Sequence, residues 1–251
     1  MNLPALVKAW KVIYKEKYRQ SLPEKKRTAD RFFENKAQLL KYHATLAGEL
    51  IGLEWERTMA GNNTNTNLPP LVKRAINLAQ QIGEMKICSD QTGRLLQLLT
   101  CQLPSGVIGE VGSGGCVGTA WIASALSPAS SFFSLQEDPA VAASAGSLFA
   151  PHLNVRVIQG NWREFLHYWH FSLFYANPAT ARAQEPELFL QALRDGGMLI
   201  LDGLIPEHRL PAQLRNEPNP LREFWFNDER VYSTEIMVSA EESVILVTRR
   251  V

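Results

Sequence analysis

Short apolar runs alternate with amphipathic stretches along the chain after about residue 90. Five of these runs have the length and the β-branched or aromatic content of buried strands: residues 107–111, 132–135, 155–158, 171–175 and 198–201. Helical patterns separate them at residues 118–126, 140–149 and 185–194, with a short turn over 162–168. This alternation predicts a parallel sheet with helices on both faces.

The end of the chain follows a different pattern. Two further strand-like runs, residues 231–238 and 243–248, are separated by only four residues. So short a connection can join only antiparallel strands, because a parallel crossover needs a dozen residues or more. We therefore expect an α/β fold with a doubly wound, mostly parallel seven-stranded sheet that ends in an antiparallel hairpin.

Residues 1–87 have a helical pattern and predict an N-terminal helical extension ahead of a domain over residues 88–251. A capping-box arrangement at Ser21 precedes apolar residues that recur every three or four positions over 29–51. The apolar positions over 71–82 predict another amphipathic helix. Such apolar stripes must be buried, so the extension either covers its own domain as a lid or forms a homodimer with a second copy.

The charge of the chain gives little indication of a partner. Its 251 residues carry a formal net charge of +1, which provides no overall attraction to nucleic acid or to an acidic membrane. Residues 8–31 hold nine Lys or Arg against three acids, a balance typical of a solvated helix face, with a docking patch for an anionic partner as the alternative. We therefore expect neither nucleic acid nor a membrane as a partner.

The cysteines and the apolar segments favour the cytoplasm. Cys88, Cys101 and Cys116 share no spacing typical of a zinc site or a disulfide framework, which fits a reducing compartment. No apolar run approaches the length that spans a bilayer, and the N-terminus lacks the pattern of a signal peptide. The expected location is cytoplasmic.

A glycine-rich turn follows the first predicted strand. Gly112, Gly114 and Gly118 lie where that strand leads into its helix, and ligands of open α/β sheets bind at such strand ends. Glu110 comes just before them, and its carboxylate can pair with the ammonium group of a methionine moiety but would repel a pyrophosphate. The turn therefore favours S-adenosyl-L-methionine over a nicotinamide dinucleotide, with tight packing of strand and helix alone as the alternative.

Several segments after residue 88 together resemble the successive motifs of bacterial class I S-adenosylmethionine-dependent O-methyltransferases. They are QTGRLL at 91–96, GEVGSGGCVGTAWI at 109–122, EDP at 137–139, VRVIQGNWRE at 155–164 and GGMLILD at 196–202. The later LREFWF at 221–226, followed by the hairpin, is similar to one uncharacterised bacterial branch of that family. The resemblance covers residues 88–251 and implies a Rossmann-like methyltransferase fold, S-adenosyl-L-methionine as cofactor and O-methylation of a small-molecule acceptor.

The resemblance also implies which residues bind the cofactor. The residues that match the glycine-rich turn are Glu110, Gly112, Ser113, Gly114 and Gly118. Three amides, Gln136, Asn161 and Asn177, stand where the family usually has acids at the ends of strands 2, 3 and 4. An amide keeps a hydrogen-bond acceptor and loses the charge, which weakens each contact with a neutral ligand group by about 1 kcal/mol. Trp162 is expected either to stack on the adenine or to pack in the core.

Catechol-type members of the family hold a divalent cation at the ends of strands 4 and 5. The matching positions here are Asn177, Asp202 and Gly203, and Thr180 stands where those enzymes have a lysine base. A single carboxylate rarely binds a hard cation well, so we expect no metal site and a metal-independent methyl transfer. Asp202 is then the best-placed acid or base candidate, with a turn-capping carboxylate as the alternative.

Three functions remain open from the sequence. The favoured one is S-adenosylmethionine-dependent methyl transfer to an oxygen of a small molecule. The amides at 136, 161 and 177 also fit a non-catalytic S-adenosylmethionine-binding or scaffold protein that has lost its catalytic acids. A nicotinamide-dependent oxidoreductase is disfavoured by Glu110 and by the terminal hairpin.

Overall fold

The computed structural model describes residues 68–84, 87–112, 115–167, 170–177, 185–210, 215 and 218–251. Within them the helices are α1 (Pro70–Gln81), α2 (Asp90–Cys101), α3 (Val117–Ala123), α4 (Pro139–Phe149), α5 (Trp162–Leu166), α6 (Pro186–Ala192) and α7 (Pro220–Asn227). The strands are β1 (Gly106–Val111), β2 (Ser130–Gln136), β3 (Val155–Gln159), β4 (Phe171–Ala176), β5 (Leu193–Leu204), β6 (Val231–Met237) and β7 (Ser243–Arg249). None of these helices is both long and apolar enough to cross a bilayer.

The strands form one sheet in the order β3-β2-β1-β4-β5-β7-β6. β1 to β5 run parallel to one another, and β7 lies antiparallel between β5 and β6. The strand order reverses between β1 and β4, and in such sheets the carboxyl ends at this switch point are where ligands bind. The predicted fold class, with its parallel sheet and terminal hairpin, is confirmed.

The start of β5 departs from the prediction. The helical pattern over 185–194 forms only α6, because the backbone has already entered β5 at Leu193. Gly196 in this strand has a left-handed backbone (φ 69°), and a Cβ on Gly197 would lie 2.5 Å from the Phe171 carbonyl oxygen. Glycines within a strand often mark such an irregular pairing, and the register between β4 and β5 does shift here.

The sheet separates two hydrophobic cores. Residues of α1, α2, α3 and α4 belong to the core on one face, and residues of α5, α6 and α7 belong to the core on the other. β4 is buried along its whole length: Leu173 and Tyr175 contribute to the first core, Phe174 and Ala176 to the second. Burial on both faces explains why this strand is a nearly continuous apolar run.

The amphipathic helix predicted over 71–82 is confirmed as α1, and it belongs to the first core although the sequence places it in the N-terminal extension. Its buried residues are Leu71, Val72, Ala75 and Ala79. It ends where Gly83 adopts a left-handed backbone (φ 72°). A Cβ on Gly115 would lie 2.3 Å from the Ala79 Cβ, so α1 packs directly behind the glycine-rich turn. The predicted capping box at Ser21 and the apolar stripe over 29–51 lie outside the described residues.

Candidate functional site

The carboxyl end of β1 leads into the glycine-rich turn at the switch point of the sheet. Gly112 has a left-handed backbone (φ 74°), and so do Gly115 and Cys116 just before α3 (φ 61° and 65°). Among the described residues Cys116 is the one non-glycine residue with this conformation, which glycine adopts without strain. Ser113 and Gly114, both predicted to bind the cofactor, lie outside the described residues.

Gly118 lets α3 lie close to β1 and β4. A Cβ at this position would be 2.6 Å from the Tyr175 ring and 2.7 Å from Glu110 Oε1. Tyr175 and Glu110 are both fully buried, so neither can move aside into solvent. The missing side chain therefore sets the distance between the helix after the turn and the strands beneath it.

One line of buried polar side chains ends at Glu110, and we call Gln136, Ser134, Thr119 and Glu110 the Glu110 relay. The Thr119 hydroxyl donates to Glu110 Oε2 (2.5 Å), and Gln136 Nε2 donates to Ser134 Oγ (3.1 Å). The side-chain oxygens of Thr119 and Ser134 are 3.1 Å apart. Because the single hydroxyl proton of Thr119 goes to Glu110, Ser134 is the donor in that pair. The hydrogen bonds thus run in one direction, from β2 to the carboxylate on β1.

A second line ends at Asp202, and we call Ser89, Thr92, Tyr175 and Asp202 the Asp202 relay. Ser89 Oγ donates to Thr92 Oγ1 (3.1 Å), and Thr92 donates to Asp202 Oδ1 (3.2 Å). The Tyr175 hydroxyl donates to Oδ2 (2.5 Å), and the Gly203 N–H donates to Oδ1 (2.7 Å). The carboxylate is buried, and it ties the start of α2 to the ends of β4 and β5.

Burial is the main influence on the protonation of Asp202 and of its buried neighbours. It raises the pKa of Asp202, while the hydrogen bonds from Tyr175, Gly203 and Thr92 oppose the rise. Burial also raises the pKa of Tyr175 and of Cys88 well above their ordinary values, and the charge of nearby Asp202 adds to both shifts. The phenol and the thiol therefore stay protonated at neutral pH, which makes Tyr175 a donor and Asp202 an acceptor.

The positions that match the ligands of metal-dependent relatives lie together at the ends of β4 and β5. The Asn177 N–H donates to the Val111 carbonyl (3.2 Å), which holds Asn177 beside the end of β1. A Cβ on Gly203 would be 3.4 Å from the Asn177 amide, so these two residues are neighbours. The oxygens of Asp202 accept the hydrogen bonds of its relay instead. The described part of the chain contains no group of three or more His, Cys, Asp or Glu that could hold a metal ion.

The remaining predicted cofactor residues follow β3. Asn161 is exposed and caps α5, where its side chain accepts a backbone N–H of the first turn (2.8 Å). The Gly160 N–H donates to the backbone carbonyl of Gln136 (3.2 Å), which brings the ends of β2 and β3 together. Trp162 is buried and stacks on Phe189, with ring centres 5.5 Å apart and planes at 8°. Of its two predicted roles this contact favours packing in the core, and stacking on adenine stays a prediction.

Comparison with known proteins identifies the fold. No protein-family model matches the chain, and no curated protein matches it in sequence. Among solved structures, the O-methyltransferase from Bacillus cereus in complex with SAH (S-adenosylhomocysteine) matches with a TM-score of 0.63 at 20% identity, over 74% of this chain and 94% of that one. The O-methyltransferase TomG from Streptomyces achromogenes, involved in tomaymycin synthesis and solved in complex with SAM, gives 0.62 at 19% identity, over 75% and 93%. The chain has the fold of these methyltransferases.

A third match, a methyltransferase from Geobacter sulfurreducens, gives a TM-score of 0.59 at 18% identity and covers 74% of this chain and 93% of that one. The likeness therefore spans nearly the whole length of each of these three proteins. At such low identity it establishes the fold alone.

Sequence reasoning missed most of the residues that make up the two relays. The missed residues are Ser89, Thr92, Thr119, Ser134 and Tyr175. For two of them a signal was present: Ser134 and Tyr175 are polar side chains inside predicted buried strands. A buried polar group needs a hydrogen-bond partner, so each predicts a further polar residue on the neighbouring element.

Two surface clefts lie elsewhere. One of about 250 Å³ is lined by Leu190, Gln191, Asp195, Arg230, Arg249 and Arg250. The other, of about 340 Å³, is lined by residues of α7 and β6 among others, and its charged residues include the ion pair of Arg222 with Glu235. Arg230 is likewise paired with Glu187. Neither lining includes a residue of the glycine-rich turn or of the two relays.

Proposed function

We propose that this protein is an S-adenosylmethionine-dependent methyltransferase that binds its cofactor at the ends of β1 and β4 and methylates an oxygen of a small molecule without a metal. The observation that carries the proposal is the fully buried Glu110 carboxylate, two residues before the left-handed Gly112 at the switch point. A carboxylate in this position favours a cationic amino group and repels a phosphate. The shared fold with methyltransferases solved in complex with SAH or SAM supports the same cofactor.

The polar side chains at the strand ends fit the remainder of that cofactor. Gln136 Nε2 donates to Ser134, so the side-chain oxygen Oε1 is the group that we assign to the ribose hydroxyls. Asn161 follows Gly160 beside the end of β2, and we assign its amide to the adenine. Asn177 completes the proposed site at the end of β4. Amides in place of acids weaken such contacts by about 1 kcal/mol each, which still permits binding.

When bound, S-adenosylmethionine supplies an electrophilic methyl group on a positively charged sulfur. The role of the protein is to align the acceptor, to exclude water and, for a hydroxyl acceptor, to allow loss of its proton. Asp202 is the acid or base candidate at the end of β5. Its oxygens already accept hydrogen bonds from three donors, so the acceptor that we propose is an oxygen that ionises near neutral pH.

Independence from a metal rests on the oxygen ligands that the ends of β4 and β5 offer. Asp202 is the one carboxylate among Asn177, Asp202 and Gly203, and its oxygens already accept hydrogen bonds. A hard divalent cation takes six or more oxygen ligands and binds poorly to a single carboxylate. We therefore expect methyl transfer to continue with excess chelator. Activity that disappears with chelator and returns with magnesium would contradict this part of the proposal.

The second candidate is a protein that binds S-adenosylmethionine without transferring its methyl group. The observation that favours it is the set of amides at Gln136, Asn161 and Asn177, together with the engagement of Asp202 by three donors. Both candidates share the cofactor site. They differ in whether an acceptor is methylated.

Calorimetric titration of the full chain with S-adenosylmethionine, S-adenosylhomocysteine and NAD, followed by an assay of methyl donation, separates the candidates. We expect both sulfur ligands to bind and NAD not to bind, because Glu110 repels a pyrophosphate. Methyl donation is then assayed with panels of phenolic and carboxylic acceptors. Binding without methyl donation to any of them favours the second candidate, and binding of NAD alone would refute both.

A further inference from the structure

We propose that Ser134 is a positioning residue: it holds the Gln136 amide with its nitrogen turned inwards, so that the side-chain oxygen faces the ribose of the cofactor. This inference rests on the proposed function and deepens it, because it gives the ribose end of the site a residue that acts from behind the ligand contact. An amide has one donating end and one accepting end, whereas both oxygens of a carboxylate accept. The direction of an amide therefore has to be fixed by its surroundings.

Gln136 is the last residue of β2 and lies beside the glycine-rich turn. In the parallel register of β1 and β2, Leu135 is opposite Val111. The next residues of the two strands, Gln136 and the left-handed Gly112, are therefore neighbours at the carboxyl edge of the sheet. Gln136 is buried and Ser134 is fully buried, so protein contacts decide how the amide is turned.

The direction of the Glu110 relay fixes which end of the amide faces inwards. The Glu110 carboxylate can only accept, so it takes the single hydroxyl proton of Thr119 (2.5 Å). Thr119 in turn accepts from Ser134 (3.1 Å), which uses the single hydroxyl proton of Ser134. Ser134 can then only accept from the side chain at position 136, and Gln136 Nε2 lies 3.1 Å from its oxygen. The amide nitrogen faces Ser134, and the amide oxygen is turned away from it.

The Ser134 hydroxyl is the group of the relay that distinguishes the two ends of the amide. Without it, Gln136 would populate both orientations, and only one of them accepts a hydrogen bond from a ribose hydroxyl. A carboxylate at position 136 would present an oxygen in either orientation. Ser134 should therefore matter for binding when residue 136 is an amide and not when it is an acid.

The test measures the dissociation constant of S-adenosylhomocysteine for the full chain by calorimetry at neutral pH. We expect Ser134→Ala to weaken binding about threefold, because the hydrogen bond to the ribose is then made in part of the population only. In a chain that already carries Gln136→Glu, the same change should alter the affinity by less than about twofold. The difference between the two backgrounds measures the coupling between Ser134 and the amide.

A second ligand shows whether this coupling acts at the ribose. The 2′,3′-dideoxy analogue of S-adenosylhomocysteine lacks the two hydroxyls that are assigned to the oxygen of Gln136. Ser134→Ala should leave the affinity for this analogue unchanged, whereas damage to the fold would weaken both ligands alike.

Ser130→Ala is the matched control on the same strand. Ser130 is also buried, and its hydroxyl has no hydrogen-bond partner among the residues that the structure describes, so this variant should bind S-adenosylhomocysteine as the wild type does. Ser134→Cys keeps a side chain of similar size with a weaker acceptor, and it decides the question if Ser134→Ala does not fold.

Equal weakening by Ser134→Ala with and without Gln136→Glu would mean that Ser134 only supports the fold, and would overturn the inference. So would equal weakening of S-adenosylhomocysteine and its dideoxy analogue. Wild-type affinity in Ser134→Ala refutes this inference and leaves the proposed function standing. A wild type that does not bind S-adenosylhomocysteine refutes both.

Discussion

The Glu110 relay and the Asp202 relay are built alike and join different parts of the molecule. In both, hydroxyl groups pass hydrogen bonds in one direction to a carboxylate that solvent barely reaches. The Glu110 relay stays within β1, β2 and α3, which are near neighbours in the chain. The Asp202 relay joins α2 to β4 and β5, and its Thr92 and Asp202 are 110 positions apart. Similar burial and similar chemistry thus serve a local turn in one case and a long-range connection in the other.

Gly118→Ala should have the largest effect, because it disturbs both relays at once. The added Cβ would be within 2.7 Å of Glu110 Oε1 and nearer still to the Tyr175 ring, and both groups are fully buried. We expect the free energy of unfolding to fall by about 3 kcal/mol, measured by urea denaturation. The matched control is Gly146→Ala in α4, where an added Cβ has no neighbour within 4 Å and should stabilise the helix by up to about 1 kcal/mol. Equal stability of the two variants would mean that α3 does not depend on this close contact.

The variant Gly112→Ala tests the part of the proposed cofactor site that follows Glu110. Gly112 and Gly83 have nearly the same left-handed backbone (φ 74° and 72°), so alanine strains each by about 1 kcal/mol. A Cβ on Gly83 meets nothing within 4 Å. We expect both variants to lose similar stability and only Gly112→Ala to lose S-adenosylhomocysteine binding, by more than about tenfold, as measured by calorimetry. Unchanged affinity for S-adenosylhomocysteine in Gly112→Ala would mean that the cofactor does not bind at this turn.

Thr119→Val and Thr92→Val compare the two relays directly. Each change keeps the shape of the side chain and removes the hydroxyl that donates to a buried carboxylate. Thr119 and its neighbour Ser134 are both fully buried, so we expect a loss of about 2 kcal/mol in the free energy of unfolding for Thr119→Val. Thr92→Val should cost about 1 kcal/mol, because Asp202 keeps two other donors. The reverse order in urea denaturation would show that the Asp202 relay is the more important for stability.

The stability that a carboxylate with a cationic partner contributes should change with pH in the opposite direction to the stability that Asp202 contributes. Burial raises the pKa of Asp202 above 3.8, so the folded state holds this proton more tightly, and the stability that results is lost as the pH rises through the folded pKa. Burial also raises the pKa of Glu235, but hydrogen bonds from Arg222 and Ser243 outweigh it and lower that pKa below 4.5. The stability that Glu235 contributes above 4.5 is therefore lost as the pH falls through its folded pKa.

The pH dependence of stability is the smallest of the expected effects, and thermal unfolding at several pH values in the acidic range measures it. Relative to the wild type, Asp202→Asn should gain stability as the pH rises from about 4, because it removes an ionisation that burial disfavours. Glu235→Gln should be less stable than the wild type near neutral pH and approach it in acid. Differences that change with pH in the same direction for both variants would contradict the assigned shifts.

The fold was largely readable from the sequence because each strand and helix leaves a local pattern. The runs at 107–111 and 171–175, and the short connection before the last strand, predict the parallel sheet and its hairpin. Glu110 and Gly112 could be assigned a role for the same reason, since a strand followed by glycines is a local signal. β5 was misread at its start, where glycines interrupt an otherwise helical period.

The Asp202 relay could not be predicted, because periodicity carries no information about pairs that are distant in the chain. Asp202 was identified as a candidate, but nothing local to it indicates Tyr175 or Thr92 as its donors. Cys116 was also missed as a conformational feature. Its left-handed backbone is required by the path of the turn, and cysteine gives no sign of it.

The contact between Ala79 and Gly115 makes the glycine-rich turn depend on a helix that lies more than thirty positions before it in the chain. Ala79 is 1% exposed, and its methyl group occupies the space that any side chain at position 115 would need. A larger residue at 79 would push on the turn from behind, at a distance from any ligand. Grafting onto this chain an α1 with a larger residue at position 79 would therefore alter the shape of the turn even if every residue after 87 were kept. The two segments have to be exchanged together.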